Sequence, residues 1–189
     1  PRKVAAPPEV AFVFTGQGAQ HPGMGRALYD HVVPFRDAID RCAELLDGIL
    51  PIPLLDALFE GEGDNAPIYR TTIAQPAVVA FEWALAQMWQ AWGVRPAAVV
   101  GHSLGEFAAA CVAGAMSLED TLRLVAERGR LLDSLPGGDR MAAVFTTEEA
   151  VDEVLAGIDG EVMIGAMNSP MSTVISGAAG PVDAAVAAF

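Results

Sequence analysis

Apolar residues along this chain fall into two kinds of run. Val10–Phe14 and Ala97–Val100 are short and continuous, the length and character of strands buried on both faces. Longer stretches repeat at helical spacing. Met24 to Val33 predicts a short helix ended by Pro34, and Phe35, Ile39, Cys42, Leu46 and Ile49 then form a core-facing stripe. A further helix is predicted with Pro76 in its first turn and Gly93 just beyond its last residue, Trp92. Val78, Leu85, Met88, Trp89 and Trp92 are its core face, and Gln75 falls at the N-cap, a position glutamine serves poorly. An alanine-rich helix starts at Glu106 and stops at Gly114. Another runs to Leu132, with Ser117 as N-cap and Glu119 and Asp120 in its first turn.

The turn-forming stretch Ser134 to Asp139 marks an internal boundary. Beyond it, Met141–Phe145 reads as a strand and Thr147–Ala156 as an amphipathic helix. Val162–Ala166 and Thr173–Ile175 read as strands joined through Asn168-Ser169-Pro170, and Pro181–Phe189 opens another helix. That βαββα order is a split β-α-β unit, one strand short of a ferredoxin-like subdomain. The expected division is a proline-rich linker over 1–9, a larger unit over 10–137 and the small unit over 138–189.

Composition narrows the function classes. With 189 residues and 52% hydrophobic content, the chain can bury a core of its own. A net charge of −13 with no basic cluster argues against nucleic-acid binding; solubility accounts for the acidity. Cys42 and Cys111 stand far apart in sequence, which points to neither a disulfide framework nor a zinc site. No apolar run reaches membrane-spanning length and no signal peptide is visible, so a reducing cytoplasm is the expected location.

The chemistry concentrates at Gly101-His102-Ser103-Leu104-Gly105, which fits the G-x-S-x-G nucleophile elbow between a predicted strand and a predicted helix. Such a turn holds a serine oxygen at a helix N-terminus, where N–H groups and the helix dipole favour developing negative charge. The bland alternative is a tight strand-to-helix turn. Gly16-Gln17-Gly18 follows the first strand, at the end where open α/β sheets place ligands. It can offer backbone N–H groups and one amide to a reacting oxygen, or it is a glycine turn with no chemical role.

Arg128 is the other anomaly. Leu118, Leu122, Val125, Gly129 and Leu132 form an apolar stripe that Leu124 and Leu131 widen, and Arg128 falls inside that arc. A buried guanidinium left unpaired costs several kcal/mol. Three readings stay open: it pairs with a substrate carboxylate, it pairs with an acid from elsewhere in the chain, or it snorkels to the rim.

Phe14-Thr15-Gly16-Gln17-Gly18-Ala19-Gln20, Gln75-Pro76-Ala77, Gly101 to Glu106, Arg128-Gly129-Arg130 and Asn168-Ser169-Pro170 occur in the order and rough spacing of the acyltransferase family. That family comprises malonyl-CoA:acyl carrier protein transacylases and the acyltransferase domains of polyketide synthases. The chain resembles it from Val10 to Phe189. Gln20 to Gly25 and Trp92 to Pro96 are more similar to a type I polyketide synthase domain, and the lead-in before Val10 resembles the linker from an upstream ketosynthase.

The resemblance implies an α/β-hydrolase-like parallel-sheet core carrying an inserted ferredoxin-like small subdomain, incomplete at its C-terminus. It implies that Ser103 takes an acyl group from acyl-CoA and passes it to the phosphopantetheine thiol of an acyl carrier protein. Gln17 and the backbone N–H of Leu104 would form the oxyanion hole, Gln75 and His102 would line the site, and Arg128 would hold the extender unit's free carboxylate. Leu104 stands where methylmalonyl-selective relatives usually carry glutamine, which favours malonyl-CoA as substrate. No metal and no permanently bound cofactor is implied.

One departure stands out. Serine nucleophiles need a base, usually histidine, and His21, His31 and His102 are the chain's three histidines, none after Ser103. In the family that histidine comes from beyond the small subdomain, so the chain looks like the N-terminal portion of a domain. By itself it is expected to acylate Ser103 slowly or not at all. The rivals are an esterase or thioesterase of α/β-hydrolase type and a non-catalytic docking fragment.

Overall fold

Strand β1 (Ala11–Phe14) pairs in parallel with β2 (Ala98–Gly101), Phe12 opposite Val99 and Phe14 opposite Gly101. A parallel pair needs a long crossover, and here the helices α1 (Arg26–His31), α2 (Val33–Leu46), α3 (Leu54–Phe59) and α4 (Thr71–Ala91) supply it. After β2 the chain turns directly into α5 (Gly105–Val112) and then α6 (Leu118–Asp133). Phe35, Ile39 and Leu46 of α2, Leu58 of α3, Val79 and Ala84 of α4, Ala108 of α5, and Leu122 and Val125 of α6 meet in one core. The computed structural model describes residues 9–189, so the expected linker over 1–9 lies outside the described residues apart from Glu9. The chain divides after Leu135 into two compact units, described separately.

Several helix boundaries differ from the expectation, each for a physical reason. Pro34 opens α2 instead of ending a helix: Val32 is extended, and Pro34 sits in the first turn, where its missing N–H has no helical partner to lose. Helix α4 starts at Thr71, so Gln75 and Pro76 lie inside it and Gln75 is not a cap. Its N-terminus is capped from a distance by Asp133 at the end of α6, which accepts the Thr72 N–H at 2.9 Å and also the Thr72 hydroxyl. That cap joins residues 61 apart in sequence and leaves no local signature. Trp89 and Trp92 stack edge to face, 5.5 Å between centroids, on the surface and not in the core. Leu124, Leu131, Leu132 and Ile49 are exposed as well.

The distant cap carries a testable consequence. Asp133→Ala is expected to lower stability by roughly 1 kcal/mol, the ordinary value of a lost N-cap. The Thr72 hydroxyl holds the Asp133 carboxyl below its usual pKa. Its contribution is therefore present above the unfolded-state value of about 4 and is lost as pH falls through the lower folded value. Thermal melts of wild type and variant between neutral and strongly acidic pH should converge at the acid end.

In the second unit, β3 (Asp139–Val144), α7 (Glu148–Leu155), β4 (Val162–Ser169), β5 (Ser172–Ala178) and α8 (Ala179–Ala188) build a three-stranded sheet of order β3-β5-β4. β5 runs antiparallel to both neighbours, with Ile175 opposite Ala142 on one side and Ile164 on the other. β3 and β4 are thus parallel to each other around an inserted strand, the split β-α-β arrangement. Val144, Val151, Ile175, Val182 and Ala185 form its core. Asn168 and Ser169 belong to β4, which continues past the expected end through two register shifts.

Candidate active site

The turn from β2 into α5 is as tight as its glycines require. A Cβ on Gly101 would lie 2.3 Å from the Glu106 nitrogen, and one on Gly105 would lie 2.4 Å from the Phe14 oxygen. His102 donates its N–H to the Phe14 carbonyl at 3.0 Å, which ties the elbow to the end of β1. Ser103 has φ of 52°, the one positive value outside glycine among the described residues, and its side chain is exposed. This left-handed conformation costs a serine roughly 1–2 kcal/mol. The Gly105 and Glu106 N–H groups return to the His102 and Ser103 carbonyls. The Leu104 N–H, ahead of the helix, has no backbone acceptor among the described residues, while the Leu104 side chain is buried in the core. The elbow thus presents an exposed hydroxyl beside a free amide donor.

The Thr15-Gly16-Gln17 turn lies against this elbow. A Cβ on Gly16 would come within 3.2 Å of His102 Nδ1 and 3.7 Å of Ser103 Cβ. Gln17 is exposed, and its Nε2 donates to Thr71 Oγ1 at 3.3 Å. Gln75, buried inside α4, donates its Nε2 to Gln17 Oε1 at 3.3 Å and keeps a buried Oε1 without a partner among the described residues. The two glutamines and Thr71 thereby form one chain of amides and hydroxyl beside the turn.

Gly129 places α6 against the start of α4: a Cβ there would lie 2.8 Å from the Thr71 carbonyl oxygen. Arg128 is half-buried, its guanidinium 5.9 Å from the centre of the Phe107 ring on α5. It forms no ion pair with any described residue, although Arg123 and Arg130 on the same helix pair with Glu119 and Glu127. Arg128 therefore faces α5, the helix that follows the elbow, while its neighbour Gly129 abuts the Thr71 carbonyl at the start of α4. Gly129→Ala is expected to cost about 1–3 kcal/mol through forced separation of α4 and α6, read as a drop in Tm.

Glu82 is a site residue that sequence reasoning missed, although its signal is readable: it is the one charged residue of the 21-residue α4. It is buried, and its Oε1 accepts the Thr15 N–H at 2.6 Å and the Thr15 hydroxyl at 2.9 Å. Burial pushes its carboxyl pKa up, and the two Thr15 bonds partly oppose that. A mostly apolar cavity of about 500 Å³ lies between β1 and α4, lined in part by Phe12, Phe81, Leu85 and Trp89; Ser103, Gln17 and Arg128 lie outside it.

Of the three histidines, His102 adjoins the nucleophile in sequence, His21 is exposed with its Nδ1 3.1 Å from the Pro22 carbonyl, and His31 is exposed in the last turn of α1. Cys42 and Cys111 are buried free thiols whose pKa values burial raises. No group of acidic, histidine or cysteine side chains among the described residues is arranged to hold a metal. No described helix is long and apolar enough to cross a membrane.

Residues 11–189 match the acyl transferase domain family. The chain is 43% identical over 183 residues to the spectinabilin polyketide synthase system protein NorB of Streptomyces orinoci, covering 96% of this chain and 8% of that one. It is 42% identical over 193 residues to the PKS-NRPS hybrid synthetase acdB of Aspergillus candidus, covering 100% of this chain and 8% of that protein. Among solved structures, the acyltransferase domain from the second module of the salinomycin polyketide synthase superposes with a TM-score of 0.88 at 40% identity, over 97% of this chain and 42% of that one. The malonyl CoA-acyl carrier protein transacylase of Clostridium perfringens superposes with a TM-score of 0.83 at 30% identity, over 94% of this chain and 56% of that one. The chain belongs to the acyl transferase domain family, with an α/β-hydrolase-like core and a ferredoxin-like subdomain. It spans a small fraction of the curated synthases and about half of the solved domains it matches.

Proposed function

We propose that Ser103 accepts the acyl group of an acyl-CoA thioester and passes it, by a ping-pong route, to the phosphopantetheine thiol of an acyl carrier protein. The observation that carries this reading is an exposed serine, held at positive φ, with the Gly16 backbone against it and the Leu104 N–H unclaimed beside it. The backbone of Gln17 and the N–H of Leu104 serve as oxyanion donors, preset where negative charge develops on the thioester oxygen. Gln75 steadies Gln17, and His102 lines the site beside the nucleophile.

The acyl group is a dicarboxylic one, malonyl by preference. Arg128, half-buried without an ion pair among the described residues, is the group that meets its free carboxylate, by a bidentate pair. An esterase would have no use for that charge, and the open arginine is the specific observation against one. A proton acceptor from outside these 189 residues is part of the proposal: His21 and His31 occupy exposed positions ahead of the elbow, and His102 adjoins Ser103 on a tight turn, a poor placement for a base. A ketosynthase neighbour in the same protein and a cytoplasmic setting complete the proposal.

Loading of Ser103 in the full-length protein, followed by intact-protein mass spectrometry, tests it. Malonyl-CoA should load well ahead of acetyl-CoA. Arg128→Ala should lower kcat/KM for malonyl-CoA by roughly a hundredfold, about 3 kcal/mol of lost charge-assisted hydrogen bonding, and leave acetyl-CoA nearly unchanged. Equal losses for both substrates would sink the assigned role of Arg128. Rapid stoichiometric loading by the isolated 189-residue chain would sink the external base.

A further inference from the structure

The geometry points to Glu82 as the positioning residue of the oxyanion turn, acting through a single peptide plane. This rests on the reading of Gly16-Gln17 as an oxyanion donor. A peptide unit is flat, so fixing its carbonyl and its N–H fixes its plane. In the Phe14–Thr15 peptide, the carbonyl oxygen accepts the His102 N–H at 3.0 Å from the elbow side. The N–H of the same peptide donates to Glu82 Oε1 at 2.6 Å from the α4 side. The Thr15 hydroxyl donates to the same oxygen at 2.9 Å, which sets the side chain as well as the backbone. One peptide is thus held between the residue that precedes the nucleophile and an acid in the middle of a long helix. Gly16 and Gln17 leave from that plane, and the Gly16 backbone is the part that lies against His102 and Ser103.

The cost of this arrangement argues for a purpose beyond packing. Glu82 is 8% exposed and its second oxygen, Oε2, is buried with no partner among the described residues. Every other position of α4 is uncharged. Burying a carboxylate with half its acceptor capacity unused is unfavourable, and an apolar side chain of similar size would fill the same space without that cost. Such a side chain would leave the Thr15 N–H unpaired and the peptide free to rotate away from the elbow. Glu82 contacts neither the acyl group nor the reacting atoms; its effect is the placing of the donor that follows Thr15.

The test compares Glu82→Met, which keeps the volume and removes both oxygens, with Glu82→Gln, which keeps an acceptor at Oε1. Both are made in the full-length protein. Loading of Ser103 is followed at varied malonyl-CoA, with Tm measured alongside. Loss of a whole oxyanion donor costs about 10² to 10³ in kcat, so a displaced one should cost Glu82→Met roughly 10- to 100-fold. Apparent KM should stay within about twofold, and Glu82→Gln should recover most of the rate, since the acceptor is what matters. Glu82→Met loading at the wild-type rate overturns the proposal. So does a loss that Glu82→Gln shares in full, or one that follows Tm alone. If Glu82→Met yields no folded protein, Glu82→Asp takes its place: withdrawn by one methylene, its carboxylate should again lower kcat and leave KM, and an unchanged kcat overturns the proposal. Should wild type take no acyl group, the functional reading has failed by itself. Glu82 is then judged by fluorophosphonate labelling of Ser103, which needs the same donors: slower labelling of Glu82→Met supports it, equal labelling overturns it.

Discussion

Replacing Ser103 by glycine is expected to abolish acyl loading in the full-length protein and to raise its thermal stability. The serine sits at φ of 52°, where glycine is at ease and an L side chain is strained. Relief of about 1–2 kcal/mol is offset in part by the extra freedom glycine gives the unfolded chain, about 0.4–1 kcal/mol. A net gain of roughly 0.5–1 kcal/mol corresponds to a Tm increase of roughly 1–4 °C for the unfolding of a domain of about 150–250 residues. Ser103→Ala separates the two effects: it removes the hydroxyl and keeps the strain, so loading vanishes while Tm stays put. Loading by either variant removes Ser103 as nucleophile. A glycine variant that melts below the alanine variant shows that the turn is not strained, and the elbow is then held by something other than its tight geometry.

Gly105→Ala is expected to damage fold and activity together. Its Cβ would lie 2.4 Å from the Phe14 oxygen and 2.5 Å from the Thr15 oxygen, both backbone atoms that cannot swing aside. Relieving those overlaps means pushing α5 off the end of β1. Overpacking of this kind costs about 3 kcal/mol or more when backbone must move, a Tm drop of roughly 6–12 °C. Displacement of the serine from the turn by about 1 Å costs on the order of 100-fold in rate, so loading should fall at least that far even at temperatures where the variant is folded. Gly137→Ala is the control, because a Cβ there meets nothing within 4 Å and should change neither Tm nor rate. Full activity in Gly105→Ala would mean that the elbow and β1 are not in the contact described.

The parts of the molecule that local chemistry determines were legible in the sequence. A short apolar strand, two glycines and a small-residue helix place Ser103 at an elbow because each of those choices has a steric cause at its own position. Ser117 caps α6 as its side chain and the Asp120 N–H require, with an oxygen-to-nitrogen distance of 3.0 Å. Arg128 could be singled out as a charge in an apolar arc, and the absence of an ion pair among the described residues removes one of its alternatives. What stayed hidden depends on partners distant in sequence. The start of α4 is set by Asp133 from another helix, so the local signal at Gln75-Pro76 falls five residues late, and Pro76 lies inside the helix. Trp89 and Trp92 have helical spacing and apolar bulk, but only the packing of the other elements decides which face of α4 is covered. Glu82 carried a visible signal, a solitary charge in an apolar helix, and its meaning emerges only when Thr15 is seen against it.

Thr71, Gln75 and Glu82 stand on one rod, at positions that recur on the same side of α4. They reach, in turn, the Gln17 amide nitrogen, the Gln17 amide oxygen and the Thr15 backbone. A transplant of the serine elbow into a foreign scaffold would for that reason arrive without its electrostatics. The smallest portable cassette is the first strand with its turn, this helix, and the elbow with the helix it launches, carried across as a set.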